Sequence, residues 1–144
     1  MNVIYDTNVL ISYLLTSEKE GTIATIIEAG FKGEYTICIP SEVIKELKEK
    51  IFIKEFLSQR IPKLAVERFI LALSLIAIIP KPITEPIPEV GRDYKDDYLL
   101  AYGIIEECDY LVTGDEDLLV LKKIENLKIV SPLTFSKILK LNKR

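Results

Sequence analysis

The chain has 144 residues, enough for one domain with a sizeable core and too few for two. Nineteen Lys and Arg against 22 Asp and Glu leave a net charge of −3, so no overall basic field favours nucleic acid, and any basic surface must be local. The absence of His removes the commonest general base at neutral pH and the usual nitrogen ligand of zinc, which leaves hydrolytic chemistry to carboxylates, hydroxyls, lysine or a hard metal.

The run Asn2 to Tyr5 stops at Asp6-Thr7-Asn8, and Val9, Leu10, Tyr13 and Leu14 then follow helical spacing, which predicts strand, turn and helix. Gly21 opens a second helix to about Gly30. Tyr35 to Ile39 is β-branched and aromatic and ends at Pro40, with Ser41 placed to cap a helix from Glu42 to about Lys50. Val66 to Ala77 reads as a helix, with a strand expected at Ile76 to Ile79 before Pro80. Pro82, Pro86 and Pro88 make the next stretch irregular. A helix from Asp96 or Asp97 to about Glu107, a strand at Tyr110 to Val112, a helical turn from Asp117, a strand at Leu127 to Val130 and a closing helix opened by Pro132 complete the chain. Strands alternating with helices imply a parallel sheet covered on both faces, a single three-layer α/β domain over 1–144.

No charged and apolar leader and no 18-residue apolar run is present, so a cytoplasmic protein without a membrane span is expected. Cys38 and Cys108 sit in apolar surroundings and read as buried thiols.

Six of the seven aspartates fall in three clusters: Asp6; Asp93, Asp96 and Asp97; Asp115 and Asp117. Each marks the end of an apolar stretch or the start of a helix, so parallel strands can bring them to one sheet edge, where ligands of such folds collect. Two carboxylates about 4 Å apart repel by roughly 4 kcal/mol at an effective dielectric near 20, and Mg²⁺ or Mn²⁺ relieves that cost with oxygen ligands. The alternative is helix capping, which suits Asp93 and Asp117 as well as a site does.

The stretches Asp6-Thr7-Asn8-Val9-Leu10-Ile11-Ser12, Ser41-Glu42-Val43-Ile44-Lys45-Glu46-Leu47, Arg92-Asp93-Tyr94-Lys95-Asp96-Asp97 with Leu99, Leu100 and Ala101, and Val112-Thr113-Gly114-Asp115-Glu116-Asp117-Leu118-Leu119 resemble the motifs of PIN domains. Order and spacing match over nearly the whole chain, and the sequence is similar to the prokaryotic toxin components akin to VapC-type toxins. The resemblance implies a three-layer α/β/α sandwich on a central five-stranded parallel sheet. It also implies a ribonuclease that cuts single-stranded RNA with water activated by Mg²⁺ or Mn²⁺, leaving a 5′-phosphate and a 3′-hydroxyl. Carried onto this sequence, the catalytic acids are Asp6 with Asn8 in support, Glu46, Asp96 (Leu99 and Leu100 follow it as in the family pattern) and Asp115. Asp97 competes with Asp96 as a metal ligand, Glu42 competes with Glu46, and Asp117 stands either behind the ligands or as a cap. Thr113 and Ser12 are candidates to orient carboxylates.

Phosphate binding needs Lys or Arg, and Arg92 with Lys95 lies nearest the third acid, while Lys48, Lys50, Lys54, Arg60, Lys63 and Arg68 form a second group on the middle helices. Tyr94 and Tyr98 are candidates to stack on unpaired bases. Helices apolar on more than one face point to a homodimer or higher homo-oligomer, and the toxin analogy adds an antitoxin protein. The competing readings are a catalytically inactive PIN-like module that binds RNA or protein, an RNA-processing nuclease without an antitoxin, and an aspartyl-phosphate enzyme, whose D-x-D-x-T pattern is missing because Asn8 stands at the second Asp.

Overall fold

The computed structural model describes residues 1–16, 20–87 and 94–142; of Phe56, Tyr94, Lys95 and Asp96 it describes the backbone alone. The elements run β1 (Asn2–Tyr5), α1 (Thr7–Leu15), α2 (Thr22–Phe31), β2 (Thr36–Cys38), α3 (Ser41–Ile53), α4 (Glu55–Arg60), α5 (Lys63–Ile76), α6 (Tyr94–Ile105), β3 (Tyr110–Val112), α7 (Glu116–Leu119), β4 (Lys123–Ile124), β5 (Leu127–Val130) and α8 (Pro132–Asn142). The sheet order is β2-β1-β3-β5-β4.

Strands β2, β1, β3 and β5 are parallel, and β4 joins β5 antiparallel. The sheet is therefore mixed rather than wholly parallel, because a two-residue connection folds β4 back on β5 through Glu125 at φ 52. The strand expected at Ile76 to Ile79 is absent: α5 continues to Ile76, and Ile78 makes only an isolated bridge to Cys38. Its N–H donates to Ile37 and its carbonyl accepts from Ile39 before Pro80 and Pro82, which lack the donors a ladder needs, end the pairing.

Strand β1, flanked by β2 and β3, is buried on both faces, with Val3, Ile4 and Tyr5 inaccessible to solvent. On one face α2 and α8 close over Tyr5, Tyr35 and Phe135. Tyr5 donates its hydroxyl to Tyr35, Tyr35 donates to the Ile26 carbonyl at 2.5 Å, and the Phe135 ring meets Tyr35 edge-on at 5.1 Å. On the other face α6 lies over β1, β3 and β5. Cys38 and Cys108 are buried thiols, and contact with Cys38 together with burial pushes the Cys108 thiol well above its ordinary range.

Helix α6 reaches the sheet because Gly103 has no side chain: a Cβ there would stand 2.8 Å from Leu127 Cδ2 and 3.5 Å from Ile4 Cγ2. Leu127 is itself buried and has little room to yield. Gly103→Ala is therefore expected to destabilise the fold by about 1–3 kcal/mol despite the better helix propensity of alanine. Gly114→Ala, where nothing lies within 4 Å of the added carbon, is the control expected to leave a urea midpoint unchanged.

Candidate active site

Parallel pairing puts the carboxyl ends of β1 and β3 side by side, with Tyr5 opposite Val112. The residues just past those ends, Asp6 and Thr113, continue the ladder as the Asp6 N–H donates to the Val112 carbonyl at 3.0 Å. Asp6 is extended (φ −68, ψ 140) and caps α1, its Oδ1 accepting from the Asn8 N–H at 3.3 Å. The Thr113 hydroxyl donates to Asp6 Oδ2 at 2.7 Å and accepts from the Asp115 N–H at 3.0 Å. Asp115 in turn caps α7, its Oδ1 accepting from the Asp117 N–H at 2.9 Å. A hydrogen-bonded chain thus runs from the acid after β1 through the end of β3 to the acid before α7.

Asp6 is 7% exposed, and burial raises its pKa above the ordinary carboxylate value. The Thr113 hydroxyl, the Asn8 amide and the charge of Lys50 pull it down, and Glu46 pushes it up. The net shift is upward, so ionising Asp6 costs more in the folded chain than in water unless a cation compensates the charge.

Helix α3 brings Glu42 and Glu46 to the side of α6, one turn apart on each helix. Tyr98 donates its hydroxyl to Glu46 Oε2 at 2.9 Å, and Tyr102 donates to Glu42 Oε2 at 2.5 Å. Glu46 acts electrostatically on Asp6, and its Oε1 holds Lys50 Nζ at 2.9 Å. Lys50 also donates to Asn8 Oδ1 at 3.2 Å. Glu42 has other partners: Ser41 donates to its Oε1 at 3.0 Å, and the Tyr102 hydroxyl it binds accepts from the Ile83 N–H at 3.0 Å. Glu42 therefore ties α3 to α6 and to the proline-rich segment, while Glu46 stands beside Asp6.

Of the cluster at the start of α6, Asp97 is buried at 4% exposure. The Asp96 and Lys95 side chains, and Arg92 and Asp93 altogether, lie outside the described residues. Asp115 is half-buried and Asp117 exposed. Among the described residues the Ser12 hydroxyl makes no hydrogen bond to these acids, and the Ser12 carbonyl accepts from the Thr16 hydroxyl at 3.0 Å. Tyr98 is buried and committed to Glu46, so its ring is not open for base stacking. Burial and Glu46 hold its hydroxyl far above the ordinary tyrosine range, which keeps the proton on the donor.

Lys50 and Tyr102 enter this site without having been singled out for it by the sequence. For Lys50 the signal was present, since Glu46 and Lys50 are four residues apart and so share one helix face. Among the described residues no group of three or more acids or thiols closes to metal-holding geometry. Two carboxylates and an amide oxygen nevertheless gather around one cation, the Lys50 ammonium: Glu46 and Asn8 by contact, and Asp6 through its charge. All are hard oxygen donors, and Mg²⁺ uses one or two carboxylates and fills its shell with water, so the donor set fits such an ion in chemistry and number.

A family model for the PIN domain matches residues 2–117. No curated protein matches the chain. Among solved structures, the chain is similar to one in the crystal structure of VapBC2 from Rickettsia felis bound to a DNA fragment from their promoter, with a TM-score of 0.60 and 20% identity over 91% of this chain and 98% of that one. At that identity the likeness is one of fold.

Proposed function

The chain belongs to the PIN domain family, and from that premise we propose that it is a metal-dependent endoribonuclease that cuts single-stranded RNA and works as the toxin of a toxin-antitoxin pair. The observation that carries this reading is the chain Asp6–Thr113–Asp115 across the carboxyl ends of the strands, with Glu46 brought alongside by α3.

In this reading Asp6 and Glu46 hold Mg²⁺ or Mn²⁺ together with Asp115 and the acid of α6, for which Asp96 is the family-pattern choice and Asp97 the buried neighbour. A hard divalent ion, when bound, supplies the charge that makes water nucleophilic near neutral pH and steadies the leaving oxygen of a phosphodiester. The protein's own part is positional. Thr113 fixes the Asp6 carboxylate by donating to Oδ2, Asn8 fixes the other oxygen through its N–H, and Tyr98 fixes Glu46. Burial of Asp6 keeps bulk water from competing for that oxygen and strengthens every charge interaction around it. Arg92 and Lys95 remain the proposed contacts to RNA phosphates.

Partner binding is supported by apolar surface on α5, where Leu64, Leu71, Leu75 and Ile76 are exposed, and by a groove lined by Tyr13, Leu14, Phe31 and Phe69. The occupants we propose are an antitoxin protein and a second copy of the chain. No helix among the described residues is long and apolar enough to cross a membrane, and we place the protein in the cytoplasm.

Incubating the purified protein with labelled single-stranded RNA and Mn²⁺ tests the function. The expected result is fragments with 5′-phosphate ends, abolished by EDTA, with duplex RNA left intact. RNA retention that is insensitive to EDTA and unaccompanied by cutting would instead assign a catalytically silent binding module.

A further inference from the structure

Both oxygens of Glu46 are engaged. Oε2 accepts from the Tyr98 hydroxyl at 2.9 Å and Oε1 holds the Lys50 ammonium at 2.9 Å. The two partners differ in how readily they can leave. Tyr98 is a buried ring on α6, packed edge-on against Tyr102, and its hydroxyl has little freedom to turn away. Lys50 ends a flexible four-carbon stem whose side chain is 23% exposed, so it can swing into solvent without disturbing the core.

The ammonium does more than pair with one acid. It donates to Asn8 Oδ1 at 3.2 Å, on the residue whose N–H binds Asp6, and it draws the Asp6 carboxyl towards its charged form. An i,i+4 pair on a helix surface is ordinarily of little consequence. Here the Glu46 side chain is only 11% exposed, so the charges are poorly screened. An ammonium has three donors and no lone pair, so it cannot ligate a metal, and its charge beside Oε1 repels a divalent ion brought to the same oxygen.

We propose that Lys50 is a built-in counter-cation that a divalent ion must displace from Glu46, so that this lysine sets how tightly the pocket binds metal. The inference rests on the metal-dependent reading above and adds to it a residue that acts through Glu46 and Asp6 rather than on RNA. Metal-free, the pocket keeps its acids compensated. Metal-loaded, Oε1 and Asn8 Oδ1 are released together and the ammonium moves outward.

The test is a calorimetric or paramagnetic-resonance titration of the full chain with Mn²⁺ alone, on the wild type, Lys50→Met and Lys50→Arg, after each has been stripped with chelator and checked for its melting transition. Removing the competing charge is expected to tighten Mn²⁺ binding by roughly tenfold or more in Lys50→Met. Lys50→Arg keeps the charge and is expected to stay within about threefold of the wild type. Lys50→Gln replaces Lys50→Met if the latter fails to fold, with the same expected direction. Equal or weaker binding in the uncharged variant overturns the role of Lys50 while leaving the metal-dependent reading intact. No saturable Mn²⁺ binding in any of the proteins overturns both.

Discussion

Asp6→Asn is expected to lower Mn²⁺-dependent RNA cleavage by about 10²-fold or more, the scale on which one preorganised electrostatic group contributes to a reaction. The same substitution is expected to stabilise the chelated protein. Burial holds the folded-state pKa of Asp6 above its unfolded value, so the folded chain binds that proton more tightly than the unfolded one. The Asp6 contribution to stability is then complete below the ordinary carboxylate value and is lost as pH rises through the raised one. At neutral pH the ionised carboxylate opposes folding unless a cation compensates it. Asparagine keeps an oxygen for the Thr113 hydroxyl at the cost of the longer 3.3 Å bond from the Asn8 N–H, and it carries no charge. Chelated wild type should gain stability relative to Asp6→Asn as the pH falls from neutral towards the carboxylate range, and saturating Mn²⁺ should reverse their order at neutral pH. Urea midpoints measured across that range check both statements, and parallel profiles for the two proteins would show that Asp6 is not held in the environment described.

Thr113→Val carries the second large effect. The hydroxyl is inaccessible to solvent and serves two partners, donating to Asp6 and accepting from the Asp115 N–H. Valine matches its shape and breaks both bonds, leaving the buried Asp6 oxygen without its donor. The expected cost is about 2–3 kcal/mol, the range for a hydrogen bond to a charged group together with an orphaned donor. Cleavage should fall by roughly 10 to 100-fold as the carboxylate loses its fixed orientation. Thr113→Ser retains the hydroxyl and should recover most of both. Full activity in Thr113→Val would show that this residue is a strand-end hydroxyl and nothing more.

Much of the framework was legible because the strands β1, β2, β3 and β5 are short apolar runs ending in strong punctuation at Asp6, Pro40, Thr113 and Ser131. At Ile76 to Ile79 two periodicities overlap. The spacing of Phe69, Leu73 and Ile76 continues the helix, while a β-branched run pulls towards a strand, and local sequence does not say that Pro80 limits the pairing to one bridge. Strand β4 was hidden for another reason: it has two residues, and the left-handed positions beside it are Lys122 and Glu125, where a tight turn is normally signalled by Gly or Asn. Helix α4 is six residues long with no side-chain cap to mark its start.

At the site, Asp6, Thr113 and Asp115 could be read because each stands next to a strand end, where topology dictates position. The distinction between Glu42 and Glu46 could not, since both lie on one face of α3 and only the placement of α6 separates the acid bound by Tyr102 from the one beside Asp6. Helical spacing alone makes Lys50 part of a basic helix face. Its position over Glu46 and Asn8 depends on how α1 and α3 pack, a long-range contact that helical spacing does not encode.

Anomalous diffraction from crystals soaked in Mn²⁺ tests the central claim most directly. The account predicts a peak at about 2.0–2.2 Å from an Asp6 carboxylate oxygen, on the side of the pocket that faces Glu46. Crystals saturated with Mn²⁺ whose anomalous peaks all lie away from Asp6 would contradict it.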